Sequence, residues 1–210
     1  SFFRVKQAAE LLDKYQVDYN ILTVVTSQVA ERIKEIYPFY KKCGWNYQQY
    51  IACLEPFGEK SGTKPYSLSP KQYGNFLSNL FELWYHDLQG ASQPYIRQFE
   101  NYVGFAAGYM AESCEQRGCC GVQYAVEADG SVYPCDFYVM DEYQIGNFNT
   151  DSFDQMDQKR SEIRFIEQSS QVEEACISCP YFLLCRGGCR RNRGNGMQTE
   201  PTRNNFCEGY

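Results

Sequence analysis

Eleven cysteines in a chain of 210 residues, crowded into its second half, constrain this sequence more than any other feature. Only Cys43 and Cys53 precede residue 114; the other nine fall between Cys114 and Cys207. Thiols at that density either pair as disulfides in an oxidising compartment or bind metal. The first half alternates like a cytosolic α/β protein, so metal is the better reading. Cys176 and Cys179 form a CxxC pair, whose two intervening residues make a tight loop that turns both thiolates to one centre, and Cys185 and Cys189 follow. Cys120 and Cys135 flank an expected hairpin, so its strands bring them together in space. Cys114 leads and Cys207 trails. These are eight thiolates, enough for two four-cysteine sites. Zinc and iron–sulfur clusters both accept four cysteines, and spacing alone leaves the two open.

The first 112 residues read as alternating helices and strands. Val5, Ala8, Ala9 and Leu12 recur at helical spacing in an opening amphipathic helix. Tyr19 to Val25 is a β-branched run suited to a buried parallel strand. Ser27 is placed to cap a helix over 29–42, which Pro38 should kink or interrupt. Tyr50 to Leu54 reads as a second strand. Ser69-Pro70 opens a long helix with the apolar stripe Leu77, Leu80, Phe81 and Trp84. Tyr95 to Arg97 is a short third strand, with a helix through Val103 after it. That order implies βαβ units and a parallel sheet. Three strands do not close a barrel; the pattern suits the back half of one.

Beyond residue 112 the pattern changes, which sets an expected domain boundary there: 1–112 and 113–210. Ala128-Asp129-Gly130 reads as the turn of a hairpin between strands over 122–127 and 131–133. Residues 151–167 suit one helix, with Phe153, Met156, Ile163 and Ile166 on a face. Residues 176–210 lack hydrophobic periodicity and need a metal to fold. Apolar residues are 43% of the chain, enough for a packed core, and the net charge of -6 argues against nucleic acid or an anionic membrane as partner. No run approaches the roughly 20 apolar residues of a membrane helix. The expected location is cytoplasmic.

The series Cys120, Gly130, Cys135, Cys176, Cys179, Cys185, Cys189, Cys207 resembles the SPASM domain of radical S-adenosylmethionine enzymes. Within that group, Asp129-Gly130-Ser131-Val132-Tyr133-Pro134-Cys135-Asp136-Phe137-Tyr138 and Cys185-Arg186-Gly187-Gly188-Cys189-Arg190-Arg191 look like the anaerobic sulfatase-maturating enzymes. The helix segment Leu80 to Tyr85 and the strand Tyr19 to Thr26 resemble that family too. The resemblance implies an α/β fold: the carboxy-terminal half of a partial TIM-like (β/α) barrel, followed by a small Cys-rich SPASM domain. It implies two auxiliary [4Fe-4S] clusters, one held by Cys114, Cys120, Cys135 and Cys189 and the other by Cys176, Cys179, Cys185 and Cys207. Asp136 matches the family's general base, and Leu54 a residue lining the S-adenosylmethionine site. The family's activity would be oxidation of a Cys or Ser of a sulfatase to Cα-formylglycine. A deoxyadenosyl radical would take the β-hydrogen and Asp136 the side-chain proton. Expected partners are the unfolded sulfatase motif and a flavodoxin- or ferredoxin-type reductant, the protein acting as a monomer. Another SPASM maturase acting on a ribosomal peptide is the alternative enzyme, and a non-catalytic electron-transfer module the alternative class.

One departure matters. The family's CxxxCxxC motif, which binds the cluster that cleaves S-adenosylmethionine, is absent from these residues. The expectation is a carboxy-terminal fragment that makes no radical alone. Of the other cysteines, Cys43 and Cys53 read as small core residues, and Cys119 as a neighbour of the ligand Cys120. Arg186, Arg190, Arg191 and Arg193 read as cations around an anionic centre. Gly187-Gly188 would let the backbone approach a sulfur. His86, the lone histidine, reads as a surface residue.

Overall fold

The computed structural model describes residues 2–90, 93–197 and 200–210. Helix α1 (Phe2–Lys14) leads into strand β1 (Ile21–Val25), then α2 (Ser27–Glu31), α3 (Ile33–Lys42), β2 (Tyr47–Ala52), α4 (Pro70–Asp87), β3 (Tyr95–Ile96) and α5 (Arg97–Ala106). The three strands lie parallel in sequence order, with Ile21 opposite Gln48 and Gln48 opposite Ile96. Val25, Tyr50 and Ala52 face α2, α3 and α4, and they share one core with Ile33, Tyr37, Tyr73, Phe76, Leu80, Trp84 and Phe99. This is the α/β arrangement of a partial barrel's later strands.

Helix α4 starts as its sequence dictates. The Ser69 hydroxyl accepts the N–H of Gln72, and the Gln72 side chain returns to the Ser69 N–H, a capping box with Pro70 at the first helical position. Its buried face is wider than the expected stripe. It adds Tyr73 and Phe76, whereas Phe81 is 44% exposed.

Other expectations shift. Thr26, not Ser27, caps α2. The helix breaks at Arg32, where the N–H closes back on Val29 O, and Pro38 lies inside α3. Strand β2 begins three residues before Tyr50, because the Gln48 side chain satisfies itself on Trp45 O and the Tyr50 hydroxyl. Only one face of β1 is covered, and Leu22 and Val24 on the other are about half exposed. Arg97 starts α5 rather than ending β3.

The second half is built around a small antiparallel sheet. Helix α6 (Cys114–Arg117) precedes β4 (Ala125–Val126), β5 (Ser131–Tyr133) and β6 (Gly146–Asn147), with Val126 opposite Val132. The hairpin was expected; β6 is too short to carry a sequence signal. The expected single helix is two, α7 (Phe153–Glu162) and α8 (Phe165–Ser170), parted at Arg164 with φ 51°. Phe153 is exposed while Phe165 is buried, so the apolar face turns at that break. Short helices α9 (Glu174–Ile177) and α10 (Phe182–Cys185) complete it. The core of this half is slight: Val132, Ile145 and Met156, with Tyr124 and Ile163 at its edge.

The last residues strap the halves together. Phe206 packs against Tyr73 with ring centroids 4.7 Å apart and the rings tilted by 37°, and it joins the first core. No described helix is long and apolar enough to cross a membrane.

Candidate iron–sulfur site

All eleven cysteines are free thiols and half-buried. The short helices and tight turns of the second half bring eight of them into two groups. In the first, burial pushes up the Cys120, Cys135 and Cys189 thiols, Cys135 to about 12, and each feels its neighbours' charge: Cys120 that of Cys114, Cys135 that of Cys120, Cys189 that of both. In the second, burial likewise raises Cys176 and Cys185; Cys176 feels Cys207 and Cys179, and Cys185 feels Cys207 and Cys176. Cys119 sits at the edge of the first, its thiol donating to Cys120 O and its sulfur accepting from the Ser169 hydroxyl.

Backbone amides reach the sulfurs. Phe137 N–H donates to Cys135 Sγ and Arg191 N–H to Cys189 Sγ, at 3.5 and 3.4 Å. The Gly187 amide donates to Cys185, the backbone approach expected of that glycine. Each donor lies two residues after its cysteine, a geometry that stabilises thiolate over thiol. Asn204 adds a side-chain contact to Cys185 Sγ at 3.7 Å. Ser169, 1% exposed, holds the Cys120 N–H at 2.8 Å. Neither Asn204 nor Ser169 carries a signal in sequence.

Arg190, Arg191 and Arg193 are each about 95% buried, and among the described residues none pairs with a carboxylate within 4.0 Å. Leaving a cation in the interior costs several kcal/mol. Carbonyls and aromatic faces offset part of it. Arg190 donates to Phe165 O and the Gln168 side chain between the rings of Phe165 and Tyr138. Arg191 lies 3.5 Å over Phe57 and donates to Glu55 O. Arg191 and Arg193 both lie near enough to Cys189 to interact with it electrostatically. Arg186 differs, being half-buried with its guanidinium over Phe105.

Asp136 is exposed just after β5, and its Oδ1 lies 3.4 Å from Cys135 Sγ. Leu54 is half-buried in the loop after β2, one residue from the Glu55 carbonyl that Arg191 holds. Cys53 is not simply core: it lines a cavity of about 230 Å³ with Glu55, Arg191, Asn205 and Phe206, where the halves meet. His86 is exposed on α4. Among the described residues, no three His, Cys, Asp or Glu side chains converge on a point for a single metal ion.

Residues 118–180 match the SPASM family model, an iron–sulfur cluster-binding domain. The chain is 40% identical, over its full length, to the Cysteine-type anaerobic sulfatase-maturating enzyme of Clostridium perfringens, and covers 57% of that protein. It is 28% identical to the Serine-type enzyme of Bacteroides thetaiotaomicron, again over the whole chain and 54% of the relative. The structure of native anSMEcpe with bound AdoMet and the Cp18Cys peptide superposes on all of it, with a TM-score of 0.93, 40% identity and 58% of that chain covered. The chain thus spans somewhat more than half the length of the relatives it matches. In sequence and in fold it corresponds throughout to the carboxy-terminal part of the anaerobic sulfatase-maturating enzymes, radical S-adenosylmethionine proteins with a SPASM domain.

Proposed function

We propose that this chain is the part of a radical S-adenosylmethionine enzyme that holds two auxiliary [4Fe-4S] clusters beside the reacting side chain of a sulfatase peptide. Cys114, Cys120, Cys135 and Cys189 would hold one cluster, and Cys176, Cys179, Cys185 and Cys207 the other, within a domain over 113–210 that follows the barrel segment 1–112. The donor set fits: eight free thiols in two groups, amides two residues on from three of them, and buried cations without carboxylates. A single zinc draws four donors to within about 2.3 Å of one point. Four-cysteine iron–sulfur centres accept the same donors, and the iron–sulfur domain model that residues 118–180 match supports iron over zinc.

When bound, the clusters supply one-electron redox capacity next to the substrate. This chain's own residues do the rest. Asp136 would take the Cys or Ser side-chain proton as the adjacent carbon is oxidised, giving the aldehyde of formylglycine directly from Ser and, from Cys, a thioaldehyde that water hydrolyses to it with loss of sulfide. Leu54, in the loop that β2 leads into, would line the S-adenosylmethionine site. These residues carry no CxxxCxxC, so on this reading they would make no radical by themselves. Substrate peptide and a flavodoxin- or ferredoxin-type donor would be its partners, in the cytoplasm, the protein working as a monomer.

The observation that carries this reading is the Asp136 carboxylate, open to solvent and 3.4 Å from a thiol of the first group. In the full-length enzyme, Asp136→Asn should keep S-adenosylmethionine cleavage and cut formylglycine formation by about 100-fold or more, the scale of a lost acid–base group. Mass spectrometry of a sulfatase-derived peptide reads both products. Unchanged formylglycine yield would remove Asp136 from the chemistry.

A further inference from the structure

Among the three buried arginines, Arg193 stands apart. A guanidinium has five N–H donors in a fixed fork, and here each reaches a separate carbonyl. Nε donates to Gly187 O at 2.8 Å. Nη1 donates to Ser169 O and Gln171 O at 2.8 Å each. Nη2 donates to Gly118 O at 3.2 Å and Gly188 O at 2.9 Å. Those carbonyls belong to three separate stretches of chain. Gly118 lies between Cys114 and Cys120, two thiols of the first group. Ser169 and Gln171 end α8, whose Ser169 hydroxyl holds the Cys120 amide. Gly187 and Gly188 lie between Cys185 of the second group and Cys189 of the first. A fourth stretch joins through the backbone: Arg193 pairs antiparallel with Asn204, which contacts Cys185 Sγ and accepts the Phe206 N–H just before Cys207.

The glycines make this possible. Gly118, Gly187 and Gly188 have φ of 69°, 82° and 63°, where other residues are strained. A Cβ on Gly187 would stand 3.0 Å from Arg193 Nη2. Burial lowers the Arg193 pKa, and Cys189, Cys120 and Cys185, thiols of both groups, each oppose that.

We propose that Arg193 is the positioning residue that builds the two cysteine sites as one unit. It gathers the loops of both around a single cation and places that charge between them. The inference rests on the cluster assignment above. It adds that the sites are not independent: one side chain, itself no ligand, governs both.

The test uses the full-length enzyme, purified anaerobically and reconstituted with iron and sulfide, alongside Cys207→Ser as the standard for losing a single site. Parent protein without iron or sulfide would sink the cluster assignment itself, whatever Arg193 does. Given a loaded parent with three clusters, Arg193→Met should lose both auxiliary clusters together, leaving about one third of the iron. Loss of the iron of one site alone, as in Cys207→Ser, overturns the proposal, and so does full iron with unmoved potentials. Arg193→Lys decides the matter if the Met variant does not fold. Lys brings one charge but only three donors from a single point. It should lower occupancy of both sites in the same proportion, and shift the midpoint potentials of both in a redox titration followed by electron paramagnetic resonance. Parent-like occupancy and potentials in Arg193→Lys, or a change in one cluster only, overturns the assignment.

Discussion

Asp87, at the end of α4, receives two hydrogen bonds from α3: the Tyr37 hydroxyl at 2.7 Å and the Lys41 ammonium at 2.5 Å. Burial pushes its pKa up, but the bonds from Lys41 and Tyr37 more than offset that and hold it below 3.8. A carboxylate with a depressed folded pKa contributes stability that is complete above its unfolded value and fades as pH falls through the folded one. Asp87→Asn should therefore destabilise the first half by about 1–2 kcal/mol at neutral pH. The deficit should shrink below pH 3.8. Trp45 and Trp84, both buried in this half, report it by fluorescence in urea titrations. A deficit that stays constant into acid would mean that packing, not charge, ties α3 to α4. At this scale the sequence was legible where chemistry is repetitive: regularly spaced cysteines marked the iron–sulfur domain that residues 118–180 match. It was silent on Ser169 and Asn204, because a single polar residue becomes a sulfur contact only through folding. The arginines were legible as counter-charges, but not as buried side chains holding carbonyls.

Elements were legible in proportion to their length and capping. Helix α4 begins where Ser69-Pro70 said it should, since capping is local chemistry. The breaks at Arg32 and Arg164 were missed because nothing in the local sequence forbids helix there. Helix α4 also shows how one element serves both halves. Gly74 lies mid-helix, where Ala would ordinarily be more stable by about 1 kcal/mol. Yet a Cβ there would stand 2.8 Å from Gly209 O and 3.0 Å from its Cα, backbone that cannot step aside. Overpacking of that kind costs about 1–3 kcal/mol, so the clash should win. Gly74→Ala is predicted to lift residues 206–210 off α4, lower the melting temperature and reduce occupancy of the site that includes Cys207. In the full-length protein, up to about four irons per chain would go, and iron analysis beside a thermal melt reads both. A gain in stability with full iron would mean that the strap does not depend on this contact.

The two halves differ in what holds them up. The first has a large aromatic and aliphatic core beneath its parallel sheet, whereas the second centres on Val132, Ile145 and Met156. Its remaining interior mixes the buried rings of Tyr133, Tyr138 and Phe165 with thiols, glycine turns and the guanidiniums of Arg190, Arg191 and Arg193. A core that small supplies little net stability against the entropy of ordering nearly a hundred residues. Without metal the buried cations also lack an anionic partner, an arrangement that costs several kcal/mol when its counter-charge is removed. On the proposed cluster assignment, metal binding and folding of the second half would be one event, while the first half has its own reasons to stay folded. Stripping iron from the full-length protein with a chelator under oxidation should leave amides of β1, β2 and α4 protected from hydrogen exchange. Amides between Cys114 and Cys207 should exchange orders of magnitude faster, and the 206–210 strap should loosen with them, since Cys207 lies within it. Emission from Trp45 and Trp84 should stay near its native wavelength throughout. If the second half kept its protection without iron, its fold would rest on packing alone, and the thiols would be guests in a finished structure rather than part of what finishes it.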